Sequence, residues 1–123
     1  MKTHESEEMY LETILLLKEK KPSVRSVDIV EELDYAKSSV SRAVNLLCQK
    51  GYIQIDGSGD ITLTETGHCK AAAIYERHRI ITRALMALGA DKTLAEENAC
   101  RIEHVISEEM FDLLKKYMEK QSK

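Results

Sequence analysis

The segment Ala99-Cys100-Arg101-Ile102-Glu103-His104-Val105 places a thiol, a carboxylate and an imidazole within five residues. On a helix, positions i, i+3 and i+4 share one face, so the spacing predicts that Cys100, Glu103 and His104 converge on one point. Those three groups are ligands for a first-row divalent cation. Sulfur and imidazole together select Fe(II), Co(II), Ni(II) or Zn(II), whereas an all-oxygen set selects Mg(II) or Ca(II). The same spacing also fits a solvated helical face with a small buried cysteine beside it. Further donors depend on the fold to bring them in: Met9 and Glu12, three apart on the first predicted helix, and His78 on a later one.

The elements that must position these donors are mainly helical. Met9 to Lys20 reads as a first helix, with Tyr10, Ile14 and Leu17 on one apolar stripe and Pro22 ending it. Ser26 is expected to cap a second helix over Val27 to Leu33, with Val27, Ile29, Val30 and Leu33 on its buried side. A turn at Asp34-Tyr35-Ala36-Lys37 leads to a third helix from about Ser38 to Lys50, with Val40, Val44 and Leu47 inward and Gly51 as its stop. Together they form a helix-turn-helix. The period then changes to two, in Tyr52-Ile53-Gln54-Ile55 and Ile61-Thr62-Leu63 on either side of Asp56-Gly57-Ser58-Gly59-Asp60, which predicts a hairpin and, behind a helix-turn-helix, a wing.

A long helix follows from Thr64-Glu65-Thr66-Gly67 to about Leu88, with Gly89 beyond its end. Thr93-Leu94-Ala95-Glu96 has the form of a capping box opening the next helix, and Ser107 with Glu108 and Glu109 starts a last one through Phe111, Leu114 and Tyr117. The expected architecture is a winged helix-turn-helix with a two-stranded wing over residues 1–70, followed by an all-helical domain over residues 71–123.

The net charge of −3 argues against a simple nucleic-acid binder, yet from Ala36 to Ile55 the only charged residues are Lys37, Arg42 and Lys50. The third helix is therefore the candidate recognition helix. Its Lys37, Ser38, Ser39, Ser41, Arg42 and Asn45 are donors or small polar groups with no acid among them, and suit both phosphates and major-groove base edges. Arg25 and Ser26 at the entry of the second helix and Ser58 in the wing loop complete the candidate DNA-contacting set. No apolar run approaches the ~20 residues of a membrane helix and the N-terminus lacks a signal-peptide pattern, so a cytoplasmic protein with no membrane partner is expected. Three widely spaced cysteines argue for reduced thiols, with Cys48 and Cys69 expected as small core fillers. An enzyme is the rival class, using Cys100 with His104 as nucleophile and base or the cluster as an open metal centre. The chain has no nucleophile elbow, phosphate loop or H-E-x-x-H motif, so no catalysis and no small organic substrate are expected.

Several segments, in order along nearly the whole chain, resemble a known family: Glu8-Met9-Tyr10-Leu11, the winged helix-turn-helix, Leu63-Thr64-Glu65-Thr66-Gly67, Glu76-Arg77-His78-Arg79 and Cys100-Arg101-Ile102-Glu103-His104-Val105. They are similar to the metal-dependent repressors typified by the diphtheria toxin repressor and the manganese transport regulators. The resemblance implies a DNA-binding first half, a helical dimerisation domain and a metal corepressor. It implies a primary site of Met9, Cys100, Glu103 and His104 and an ancillary site that includes His78. The iron-responsive branch adds a Glu where this chain has Thr82 and a His where it has Glu96. The manganese-responsive branch uses a carboxylate where Glu12 stands, with acids at the positions of Met9 and Cys100. The chain is mixed, with Fe(II) favoured, Mn(II) second, and Co(II), Ni(II) or Zn(II) as surrogates. Glu12, His78 and Glu103 are the candidates for a second ion. Because the chain ends at Lys123, the short form without the SH3-like third domain is expected. The implied function is repression of metal-homeostasis genes by a homodimer on double-stranded palindromic operator DNA. The other alternative is a metal-independent winged-helix regulator.

Overall fold

The first helix is longer than its apolar stripe. In the computed structural model, which describes residues 2–121 and their side chains from residue 7 onward, α1 covers Lys2–Lys20 rather than starting at Met9. No glycine or proline interrupts Lys2 to Glu8, so the helix extends upstream of the point where periodicity becomes visible. Its last turn carries Lys18 and Lys20, on the side of the helix dipole that favours cations. The remaining elements are α2 (Ser26–Leu33), α3 (Lys37–Gln49), β1 (Ile53–Ile55), β2 (Ile61–Leu63), α4 (Glu65–Ala87), α5 (Lys92–Ile102) and α6 (Glu108–Gln121). The chain divides into two units, Met1–Ala72 and Ala73–Lys123. None of the helices is long and apolar enough to cross a membrane among the described residues.

The first unit is a winged helix-turn-helix. α2 packs on α3, α1 lies against both and against β2, and β1 follows the end of α3. Ile14, Val24, Ile29, Val40, Val44, Leu47, Ile53 and Ile61 are all at most 2 % exposed. Each such side chain contributes about 1.5–3 kcal/mol by leaving water. That interior holds α2 and α3, whose 8 and 13 residues would be marginal helices alone. Ser26 lies inside α2 and Arg25 is its N-cap; the Asp28 carboxylate accepts from the Arg25 N–H at 2.8 Å and from the Lys21 ammonium. Val27, expected on the buried side, is 46 % exposed, because a helix of 8 residues turns only one narrow stripe inward and Ile29 holds its centre.

Asp34 ends α2 in the left-handed region, at φ 57, with its N–H on the Val30 carbonyl at 2.8 Å. Gly51, at φ 84, ends α3 as its residue type predicts, and the Tyr52 N–H returns to the Leu47 carbonyl at 3.0 Å. The wing pairs Ile53 with Leu63 and Ile55 with Ile61 in antiparallel register. At its tip the Asp56 carboxylate accepts from the N–H of Ser58 and of Asp60 and from the Ser58 hydroxyl, at 2.9, 3.0 and 2.7 Å. At its foot, Ile61 N–H meets the Val24 carbonyl at 2.7 Å. Thr64 caps α4: its hydroxyl oxygen accepts from Gly67 N–H at 3.1 Å and the hydroxyl donates to the Gly51 carbonyl at 2.7 Å.

In the second unit Ile80, Phe111 and Met118 form a buried cluster with Ala84, Ile106 and Leu114 around it. Asp91, not Thr93, caps α5, accepting from Leu94 N–H at 2.8 Å. A carboxylate two residues earlier outcompetes the expected capping box. Ser107 caps α6 as expected, accepting from Met110 N–H at 3.1 Å, while Tyr117 faces water at 58 % exposure. Cys48 and Cys69 are exposed rather than core fillers, since the inward positions of their helices are taken by other apolar side chains.

Candidate functional site

The predicted helical face for Cys100, Glu103 and His104 is only partly a helix. α5 ends at Ile102, so Cys100 sits in its last turn, and the other two residues lie in the turn that follows. Glu103 keeps helical dihedrals and its N–H reaches the Ala99 carbonyl at 2.9 Å, so the chain continues in register for one more residue. Val105 and Ile106 N–H groups then both close on Ile102, at 3.0 and 2.9 Å, turning the chain toward α6.

Glu103 is the centre of the arrangement. Its side chain is fully buried, and a buried carboxylate is costly unless charge or hydrogen bonds compensate it. The His78 imidazole supplies such a bond, its Nδ1 lying 2.8 Å from Glu103 Oε1, while His104 Nε2 lies 3.2 Å from Oε2, close by but outside hydrogen-bonding geometry. His104 is 4 % exposed at its side chain, and His78, from α4, is 21 % exposed. Fold therefore brings together His78, Glu103 and His104, which are 25 residues apart at the widest hydrogen-bonded pair. Two nitrogens and a carboxylate in a nearly dry setting fit a first-row divalent cation better than Mg(II) or Ca(II). The Cys100 thiol, on the last turn of α5, is exposed.

Arg77 holds the turn in place. Its Nη1 donates to the carbonyls of Glu103, just past the end of α5, and Ile106, in the turn before α6, at 3.1 and 3.0 Å. The guanidinium is itself seated on the Phe111 ring, 5.4 Å from its centroid. Sequence reasoning gave Arg77 no role. Its neighbour His78 was visible as a donor, but a side chain acting on backbone carbonyls leaves no spacing signal.

In the first unit, Met9 is half-buried and Glu12 buried on α1. The Met9 thioether accepts a hydrogen bond from the Tyr35 hydroxyl at 3.2 Å. Asp60, at the foot of the wing, accepts from Lys18 Nζ at 2.9 Å, Val24 N–H at 2.9 Å and the Ser23 hydroxyl at 3.3 Å. The Lys18 ammonium foremost, then the Val24 N–H, holds the Asp60 carboxyl below the usual carboxylate range. Neither Tyr35 nor Asp60 stood out in the sequence.

α3 turns Val40, Val44 and Leu47 inward. Lys37, Ser38, Ser41, Arg42 and Asn45 are exposed, and Ser39 is half-buried. Arg25 and Ser58 are exposed as well, and Ser26 is half-buried. The Arg25 stem passes beneath Gly59 of the wing loop, where an added Cβ would lie 4.0 Å from its Cδ. The Ser58 hydroxyl is directed to Asp56 within the wing tip. The exposed part of α3 is thus a carboxylate-free surface, suited to a polyanion.

Two family profiles match the chain. Residues 2–60 match the iron dependent repressor N-terminal DNA binding domain, and residues 64–123 match the iron dependent repressor metal binding and dimerisation domain. An HTH-type transcriptional regulator of Methanocaldococcus jannaschii is 36 % identical over 118 residues, covering 94 % of each chain. The iron-dependent repressor IdeR of Mycobacterium tuberculosis is 35 % identical over 104 residues, covering 84 % of this chain and 45 % of that one. Among solved structures, the manganese regulator SloR superposes with a TM-score of 0.81 at 27 % identity, over 92 % of this chain and 53 % of that one. The chain thus spans about half the length of the iron-dependent repressor and of the manganese regulator.

Proposed function

Because the chain belongs to the iron-dependent repressor family, we propose that it is a metal-dependent DNA-binding transcriptional repressor of metal-homeostasis genes, with Fe(II) as the favoured corepressor and Mn(II) as the second candidate. The observation that carries this reading is the fully buried Glu103 carboxylate between the imidazoles of His78 and His104. It lies within the part of the chain that matches the metal-binding and dimerisation profile.

The proposed primary ligands are Met9, Cys100, Glu103 and His104, with Glu12, His78 and Glu103 serving a second ion. Sulfur at two of these positions favours Fe(II) over Mn(II). When bound, a divalent cation supplies coordination free energy that is worth more in the DNA-competent arrangement than in others, and only that difference shifts the population. Glu103 brings the negative charge and His104 a neutral imidazole, so the site takes up metal less well as acid protonates it. Arg77 keeps both on a fixed turn.

The protein acts as a homodimer on double-stranded palindromic operator DNA. Two copies of α3 enter successive major grooves about 34 Å apart. Lys37 and Arg42 supply charge toward phosphate or guanine, Ser38, Ser39, Ser41 and Asn45 supply short polar contacts, and Arg25, Ser26 and Ser58 flank the groove. The role is regulatory and cytoplasmic, with no catalytic step.

The test is a gel shift on duplex DNA selected from a random pool in the presence of Mn(II). Fe(II) or Mn(II) is expected to permit binding and a chelator to abolish it. Glu103→Ala and His104→Ala are expected to remove the metal response while circular dichroism stays that of the native chain. Operator binding that ignores both metal and chelator would make the chain a metal-independent regulator.

A further inference from the structure

α1 carries Met9 and Glu12, and the same helix is tied at three points to the elements proposed to read DNA. Glu7 takes the Lys50 ammonium just beyond α3, Lys18 reaches Asp60 at the foot of the wing, and Met9 Sδ accepts from the Tyr35 hydroxyl in the turn that precedes α3. The third tether differs from the others in kind, because its acceptor atom is a sulfur that can also ligate a soft metal. We propose that Tyr35 is the positioning residue for Met9: its O–H fixes the thioether before metal arrives and joins that sulfur to the turn that aims the recognition helix. The proposal rests on the metal-responsive function stated above.

A thioether sulfur is a weak acceptor with more than one lone pair, so a donated hydrogen bond can orient it and still leave a face for a cation. Methionine is unbranched with three rotatable bonds, and ordering it is among the more costly side-chain restrictions. A hydroxyl that orders it in the metal-free protein removes that loss from the binding step. Tyr35 is itself well placed to do this. Its ring meets Tyr10 of α1 edge-on, with centroids 6.0 Å apart and planes at 68°. The residue before it, Asp34, is locked at φ 57 by its bond to the Val30 carbonyl. Tyr35 is 40 % exposed, so packing alone does not account for its hydroxyl lying 3.2 Å from the sulfur. Coupling is reciprocal: whatever Tyr35 adds to metal affinity, bound metal returns as order in the turn.

Tyr35→Phe keeps the ring and removes only the donor. Two measurements on the full chain test the proposal. In the metal-free protein with methyl-13C methionine, the resonance that Met9→Leu deletes is expected to shift and sharpen in Tyr35→Phe, while the other methionine methyls stay in place. In anaerobic titration with Co(II) alone, half-saturation is expected to rise about 3–10-fold in Tyr35→Phe, the loss associated with one hydrogen bond. The same change made on a Met9→Leu background is expected to move it less than about twofold, as a coupled pair requires. A purely structural Tyr35 would shift both backgrounds alike. That outcome overturns the proposal, as does an unmoved Met9 methyl or an unchanged half-saturation in a chain that otherwise binds Co(II). A wild-type chain that takes up no Co(II) overturns the metal-dependent function, and this proposal with it.

Discussion

Gly67→Ala puts a single methyl group where the chain has no room for one. An added Cβ at this position would lie 2.0 Å from the Tyr52 carbonyl oxygen, 2.8 Å from its carbon and 3.2 Å from its Cα, all of them backbone atoms. Separations under 3.0 Å are essentially never seen, so the Tyr52 peptide must retreat by about 1 Å or α4 must lift away. The same carbonyl accepts from Thr64 N–H at 2.9 Å, at the point where the wing hands over to α4. Overpacking of this kind costs about 1–3 kcal/mol, and a disturbed hydrogen bond adds about 0.5–1.5 kcal/mol. The expected loss is therefore about 2–4 kcal/mol. With a urea dependence of about 2 kcal/mol per molar, the unfolding midpoint should fall by about 1–2 M. Gly89→Ala is the control. Gly89 sits at φ 116 with no heavy atom within 4 Å of where a Cβ would lie, so only backbone strain of about 1–3 kcal/mol opposes the change. The mutants are compared by urea titration followed by circular dichroism. A Gly67→Ala chain as stable as wild type would refute the claim that close backbone approach is what demands glycine there.

Arg77→Met should keep the contact with Phe111 but leave the Glu103 and Ile106 carbonyls without their donor, weakening Mn(II) or Co(II) affinity by about 10–100-fold in a direct titration; an affinity equal to wild type would show the turn is held by other means. Asp60 has a folded-state carboxyl below its usual range, so the stability it contributes is present above about pH 4 and lost as pH falls through the folded value. Urea midpoints measured from pH 7 down to 3 should therefore drop less steeply for Asp60→Asn than for wild type, and parallel curves would count against the Lys18–Asp60 tether. Replacing Met9 with Asp and Cys100 with Glu together should move metal preference toward Mn(II) in competitive titrations against Fe(II), since oxygen donors replace sulfur; an unchanged preference would remove those two residues from the ligand set.

Most element types were readable because each carries its own local signal. The stripe of Tyr10, Ile14 and Leu17, the Val40, Val44 and Leu47 spacing, and the switch to period two around a Gly-rich loop correspond to α1, α3 and the wing. Boundaries were less legible. α1 begins before its apolar stripe, and Asp91 rather than Thr93 caps α5, because capping is a competition among neighbouring polar side chains that periodicity does not register. Val27, Cys48 and Cys69 were expected inside and are exposed, since apolar residue type alone does not say which of several small side chains a helix turns inward.

Chemistry divides along the same line. Residue types and spacing by themselves marked Cys100, Glu103 and His104 as metal-type donors close in the chain and showed that α3 carries no acid, because donor chemistry and charge belong to side chains within a few residues of one another. The fold brings Glu103 and His104 together and leaves the Cys100 thiol exposed. Tertiary structure alone decided that His78 meets Glu103, that Arg77 grips the turn bearing two of the donors, that Tyr35 reaches Met9, and that Gly67 admits no Cβ. Each of those is a contact between residues far apart in the chain. Only the packing of elements distant in sequence, which no local pattern encodes, brings such residues into contact.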